Sequence, residues 1–413
     1  METEKDEMEP LNLWNPAAFE QGVPYDYFRY LRDHEPVTWH SHPVWDGFWS
    51  VTRHADVLRV SRDTECFSSQ PNPFMAGDQP PSSTDDATSG MLISLDPPDH
   101  TKMRKLINRG FTPRRVRDLE GKIQATVDRL IDQVADKSGC EMAGDIAVEL
   151  PLQVIADLVG VPEEDRHKIF HWTETTFGFD ERFTDEERQQ ASLNMFAYAD
   201  QMCEIRKKVP HDDLISVLME AEIDGESLDQ LQIDVFFMLL QNAGSETTRN
   251  LITTGTLELI RHPEQMQMLK DDPSLIPNAI EELLRYTTPV MQFVRRPRYD
   301  TVIGEQEIKA GDPVVLWYSS ANRDERAFDD PDTLDITRDA SQHVAFGAGG
   351  PHFCLGASLA RLESKMMFEA IVGRFEGLAL GVDDPGTLPR LHSNLIDGYA
   401  QLPLRWESVK PAA

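Results

Sequence analysis

Cys354 stands near the end of the stretch Phe346-Gly347-Ala348-Gly349-Gly350-Pro351-His352-Phe353-Cys354-Leu355-Gly356. The residues that follow, from Ala357 to Glu363, have helix-forming composition. A cysteine thiolate is a soft, strongly donating metal ligand, and on haem iron it pushes electron density that favours O–O cleavage. It must be kept ionised, which backbone N–H groups, a helix N-terminus or the metal can do. Glycines let the backbone come close and turn its N–H groups toward the sulfur. Taken alone, the same cysteine also reads as a small buried apolar residue.

Three other groupings could do chemistry or support it. The first is Ala243-Gly244-Ser245-Glu246-Thr247-Thr248, inside a long helical pattern. Glycine costs about 1 kcal/mol relative to alanine in a helix interior, so Gly244 needs a reason. With its hydroxyl neighbours it could open the hydrogen-bond ladder and admit a small ligand. Glu246 and Thr247 would then supply an acid and a hydroxyl for proton delivery. The competing reading is a packing glycine beside a solvated Glu and back-bonded threonines. The second grouping is Glu282 with Arg285, a helical i, i+3 pair of a kind common on surfaces. The third is His100 with Arg104, four residues apart on one helix face, with Arg295 and His352 as further candidates. All four can donate to carboxylates, which must be paired if buried. Each also reads as an ordinary exposed polar residue.

The elements that must position these residues are mostly helical. Helices are expected over 17–33, 55–61, 112–134, 150–159, 163–176, 185–208, 214–221, 228–262 and 275–286. The pattern over 228–262 is the longest; at roughly 1.5 Å per residue it would cross a whole domain. Thr112-Pro113 opens its helix as N-cap and first helical residue. Strands are expected at 36–40, 47–53, 301–309 and 313–318, with an ambiguous hairpin at 391–404. The stretch 71–90 has loop composition and the length of a lid. The fold class is therefore mainly α with a smaller β-rich portion. No repeat or linker divides the chain, so we expect an acidic tail over 1–10 and one domain over 11–413.

Composition narrows the function. The formal net charge of −31 argues against nucleic-acid binding. No apolar run is long enough for a membrane span, and the acidic start does not read as a signal peptide. The four cysteines, Cys66, Cys140, Cys203 and Cys354, are scattered. That spacing fits neither a disulfide framework nor a zinc site and points to a reducing, cytoplasmic setting. Against the acidic background, Lys102, Arg104, Lys105, Arg109, Arg114, Arg115 and Arg117 form a basic run with no acidic residue among them. It reads as a solvated face or as a docking patch for an acidic protein.

The four groupings, in this order along the chain, resemble the haem-thiolate monooxygenases of the cytochrome P-450 superfamily. The resemblance spans essentially the whole chain, including Ser320-Ala321-Asn322-Arg323-Asp324 and Phe328-Asp329-Asp330-Pro331. It implies the cytochrome P-450 fold, with haem b sandwiched between the long central helix and the cysteine loop. It implies Cys354 as the iron ligand and Glu246 with Thr247 as the acid–alcohol pair that delivers protons to dioxygen. Ala243 and Gly244 would form an oxygen-binding kink, and Phe346 and Gly356 would lie against the haem. His100, Arg104, Arg295 and His352 would hold the propionates, and Glu282 with Arg285 would be a buried structural salt bridge behind the haem, not catalytic residues.

Phe346 stands one residue further from the cysteine than in the commonest family loop. That longer loop is similar to loops of actinobacterial enzymes acting on sterol side chains and methyl-branched lipids. The implied reaction is hydroxylation of an unactivated C–H bond in a hydrophobic sterol, branched lipid or terpenoid, using O2. The implied pocket comprises Leu92, Ile93, Phe177, Phe179, Leu239, Val290, Phe293 and Ile396. The sequence offers no flavin domain and no iron–sulfur cysteine set, so electrons are expected from a ferredoxin and its reductase. The alternatives are a peroxide-using haem-thiolate enzyme and a non-enzymatic haem-based ligand-binding protein. The Glu246-Thr247 pair argues against both.

Overall fold

The computed structural model describes residues 9–75, 90–177, 183–223 and 225–412, with Phe177 and Ile223 described by backbone alone. It is built on the helix Gln230–Arg261. Asp229 accepts the Gln232 N–H at 2.8 Å while Gln232 accepts that of Asp229 at 2.9 Å, so both orphan donors of the first turn are satisfied. The helix spans roughly 48 Å. Around it pack the helices Glu149–Val159, Asp185–Lys208, Ile276–Thr287 and Ala357–Arg374. Among the described residues no helix is long and apolar enough to cross a membrane.

The β-rich portion is a five-stranded sheet in the order Val37–His40, Phe48–Val51, Val314–Trp317, Gln292–Pro297, Phe67–Ser68. Its middle strand, Val314–Trp317, is buried on both faces, which suits its unbroken apolar sequence. Val314 and Leu316 face one apolar cluster with Val37, Val51 and Val57. Val315 and Trp317 face another with Phe19, Phe28 and Phe48. This two-residue alternation places Phe293 and Arg295 opposite Leu316 and Val314 in register.

Several expected elements differ. The helix over 17–33 is a 3-10 turn, Pro16–Phe19, followed by a helix, Tyr25–His34. Gly22 at φ +110° turns the chain between them, and Pro24 lacks the N–H a continuous helix would need. The helix over 112–134 is two, Pro113–Asp118 and Glu120–Ala135, with Thr112 capping the first as expected. The stretch 391–404 contains isolated bridges, Arg390↔Tyr399 and Val290↔Ile396. Its end joins the strand Pro403–Arg405, which pairs with Ala379–Leu380 and Gly139–Glu141. The helix Pro263–Asp271 was not expected, although Pro263 begins it in the first-turn position that proline favours. Residues 76–89 of the expected lid, and 1–8 of the acidic tail, lie outside the described residues.

Candidate active site

The cysteine loop depends on its glycines. Gly347, Gly349 and Gly350 have φ of +83°, +80° and +80°, conformations that side-chain-bearing residues adopt only under strain. The loop closes where the Cys354 N–H donates to the Phe346 carbonyl at 2.9 Å, across the extra residue. Burial pushes the Cys354 thiol up, and the backbone N–H groups of Gly356 and Ala357, with Arg104 and Arg361, oppose that rise. These amides open the helix Ala357–Arg374, so the sulfur sits at a helix N-terminus. A Cβ on Gly356 would meet no atom of the described residues, so packing against them does not explain this glycine.

His100 and Arg104, on the helix Asp99–Ile107, come together with Arg295 and His352. The His100 and His352 rings are 4.3 Å apart, and Arg104 donates to the Phe353 carbonyl at 2.7 Å. Arg295 is buried and donates, among the described residues, only to the Val294 carbonyl at 2.8 Å. Among the described residues, both ring nitrogens of buried His100 lack a partner. Burial, then Arg104 and Arg295, lowers the His100 pKa to about 4. Burial, then Arg295, His100 and Arg104, lowers that of His352 to about 2. Buried donors gathered with unused hydrogen-bonding capacity suit an anionic ligand. Among the described residues no three His, Cys, Asp or Glu side chains gather around a cation. One thiol beside such a cluster fits a haem, whose macrocycle brings its own nitrogens and carboxylates.

Sequence reading missed the support behind this cluster. His352 lies 3.1 Å from Ser69 Oγ. The Ser69 N–H donates to Asp96 at 2.8 Å, and Arg298 pairs with Asp96 at 2.7 Å. These residues come from distant segments and share no spacing that could betray them.

On the central helix, Leu239, Ala243 and Thr247 recur every four residues on a stripe that other side chains leave partly uncovered. The helix runs from Gln230 to Arg261 through Gly244. Gly244 serves packing: a Cβ there would stand 2.6 Å from Ile155 Cδ1. Thr247 Oγ1 donates to the Ala243 carbonyl at 3.0 Å. Glu246 pairs with Arg249 at 3.1 Å, and Arg249 also reaches the carbonyls of Tyr399 and Ala400 at 3.3 and 3.4 Å.

The expected pocket residues fall into three places. Leu92, Ile93 and Leu239 belong to the helical core. Val290 and Ile396 bridge each other; the turn before Val290 is made by Thr288 at φ +45°, a costly conformation for a β-branched residue. Phe293 packs edge-on to Phe74 and Tyr318, at 5.6 and 6.0 Å. The Phe177 side chain and Phe179 lie outside the described residues.

The Glu282–Arg285 pair is no surface feature: both side chains are fully buried, 2.7 Å apart. Arg285 also donates to the carbonyls of Asn322 and Pro331, both at 2.8 Å. Arg338, which the sequence did not single out, adds a third member at 3.2 Å from Glu282.

The family model described as Cytochrome P450 matches residues 142–395. A steroid C26-monooxygenase of Rhodococcus jostii is 37% identical, over 97% of this chain and 86% of its own. A methyl-branched lipid omega-hydroxylase of Mycobacterium bovis is 38% identical, over 97% of this chain and 94% of its own. Among solved structures, a cytochrome P450 from Chondromyces apiculatus superposes with a TM-score of 0.87 at 34% identity, covering 97% of this chain and 98% of that one.

Proposed function

Because the chain belongs to the cytochrome P450 family, whose members bind haem b and act as monooxygenases, we propose that it hydroxylates a sterol side chain, methyl-branched lipid or terpenoid at or near a terminal methyl. The observation that carries this reading is the meeting of Cys354, at its helix N-terminus, with the cluster of His100, Arg104, Arg295 and His352. The substrate class draws support from the names of the two relatives and from the apolar residues Leu92, Ile93, Leu239, Val290, Phe293 and Ile396.

Haem, when bound, supplies the redox and dioxygen chemistry. The protein's part is to hold it and to control protons and water. Cys354 would ligate the iron, its charge steadied by the Gly356 and Ala357 amides. Arg295, Arg104, His100 and His352 would pair with the propionates and so offset the desolvation of the two guanidinium groups. Phe346 and Gly356 would hold the haem from the cysteine loop, and Ala243 and Gly244 from the central helix. Glu246, released from its pairing with Arg249, would relay protons inward from solvent, and the Thr247 hydroxyl would exchange its bond to the Ala243 carbonyl for one to the incoming group. The basic run beside the loop receives a ferredoxin, recharged by its reductase, in the cytoplasm.

The test is reconstitution with a ferredoxin, its reductase and NADH, using cholesterol-type sterols and methyl-branched fatty acids under isotopically labelled O2. A terminally hydroxylated product carrying one labelled oxygen atom is expected. Oxidation with peroxide alone, with no coupled turnover of NADH, would favour the peroxide-using alternative.

A further inference from the structure

Glu281 precedes the buried Glu282–Arg285 pair and takes no part in it. Its carboxylate faces the cysteine loop instead. Its Oε1 accepts from Arg361 Nε at 2.6 Å, and its Oε2 from Arg361 Nη2 at 2.8 Å, a two-point grip on one guanidinium. Oε2 also accepts from His343 Nε2 at 3.1 Å. His343 Nδ1 accepts the Ala345 N–H at 3.1 Å, which leaves the ring proton on Nε2, where Glu281 uses it. Burial alone would raise the Glu281 carboxyl; the bonds from Arg361 and His343 overcome this and hold it at about 2.

The gripped guanidinium lies over the Phe346 ring, 4.5 Å from its centroid. The His343 ring stands 5.7 Å from the same ring. Phe346 in turn accepts the Cys354 amide through its carbonyl. One carboxylate thus ties together the helix Ile276–Thr287, the start of the cysteine loop and the helix that follows the cysteine. As an isolated ion pair with a partly exposed arginine it would contribute little. Its consequence comes from where the arginine is held, over the aromatic ring that closes the loop.

We propose that Glu281 is a positioning residue for the cysteine loop: it clamps Arg361 onto Phe346 and fixes His343, and so sets how firmly Cys354 is presented to the iron. The inference rests on Cys354 being the haem ligand. Holoprotein variants Glu281→Gln, Glu281→Asp and Arg361→Met, with the double variant Glu281→Gln/Arg361→Met, test it. Each is reduced, bound to carbon monoxide and followed in mild urea for decay of the thiolate-type Soret band. The band should decay several-fold faster in Glu281→Gln than in the parent, with Glu281→Asp in between. The double variant should decay no faster than Arg361→Met alone, because one interaction is removed in both. Parental decay in Glu281→Gln, or additive effects in the double variant, would overturn the proposal. If Glu281→Gln does not fold, Glu281→Asp carries the same comparison on the two Arg361 backgrounds. A parent without a thiolate-type band would overturn the haem-thiolate reading itself, a failure distinct from equal decay.

Discussion

Glu363 lies on the helix that follows Cys354, buried, with its Oε2 unpartnered among the described residues. Burial raises its carboxyl from 4.5 to about 8. The folded chain therefore keeps this proton well above the pH at which the unfolded chain releases it. Stability from this group is complete below pH 4.5 and is lost as pH rises toward 8. Glu363→Gln stays neutral throughout. It should be more stable than the parent at pH 7.5, by on the order of 4 kcal/mol, and indistinguishable at pH 4. Thermal melts at both pH values check this; an equal difference at both would refute it. At this scale the sequence revealed residues whose neighbours in the chain are unusual. Cys354 stood out because Gly347, Gly349, Gly350 and Gly356 crowd the stretch around it. Arg338 and Glu281 did not, because an ion pair formed across dozens of residues leaves no spacing to read. Glu282–Arg285 looked ordinary for the same reason, since its burial comes from distant segments.

Elements were legible where start signals and periodicity agreed. Thr112 caps Pro113–Asp118 as the sequence indicates, and the apolar face of Glu120–Ala135 follows it. The stretch 17–33 misled because apolar periodicity continued across Gly22 and Pro24. Gly244 left two readings open, and the structure supplies the packing one: its cost in a helix is offset because the central helix approaches Ile155 closely there. Gly244→Ala should destabilise by about 1–2 kcal/mol through overpacking. Ile155→Val in the same chain should recover part of that loss, because the atom nearest the new methyl is removed. Denaturant melts of the single and double variants measure this. An additive double variant would contradict the packing account.

Across the whole molecule, charge is divided. A chain of net charge −31 carries an exposed basic run beside the cysteine loop, with Lys105, Arg109, Arg114 and Arg117 at the surface. Arg104 joins this run to the loop through the Phe353 carbonyl, while Arg115 is engaged by Asp212. Arg109→Glu with Arg117→Glu should slow reduction by ferredoxin roughly tenfold at low salt, and the difference should shrink as salt rises. Stopped-flow reduction at two ionic strengths decides; unchanged rates would exclude this face as the docking surface. The order of the four groupings was legible along the chain. How His100, Arg295 and His352 converge was not, because that depends on how a helix, a sheet strand and a loop meet in space. The central claim is that Cys354 presents a thiolate to haem iron. The most direct measurement is the reduced, carbon-monoxide-bound spectrum of the purified holoprotein beside its Cys354→Ser variant. The parent should show a thiolate-type Soret band, and the variant should lose it. A haem-loaded parent without that band, or a variant that keeps it, would rule out Cys354 as the thiolate ligand.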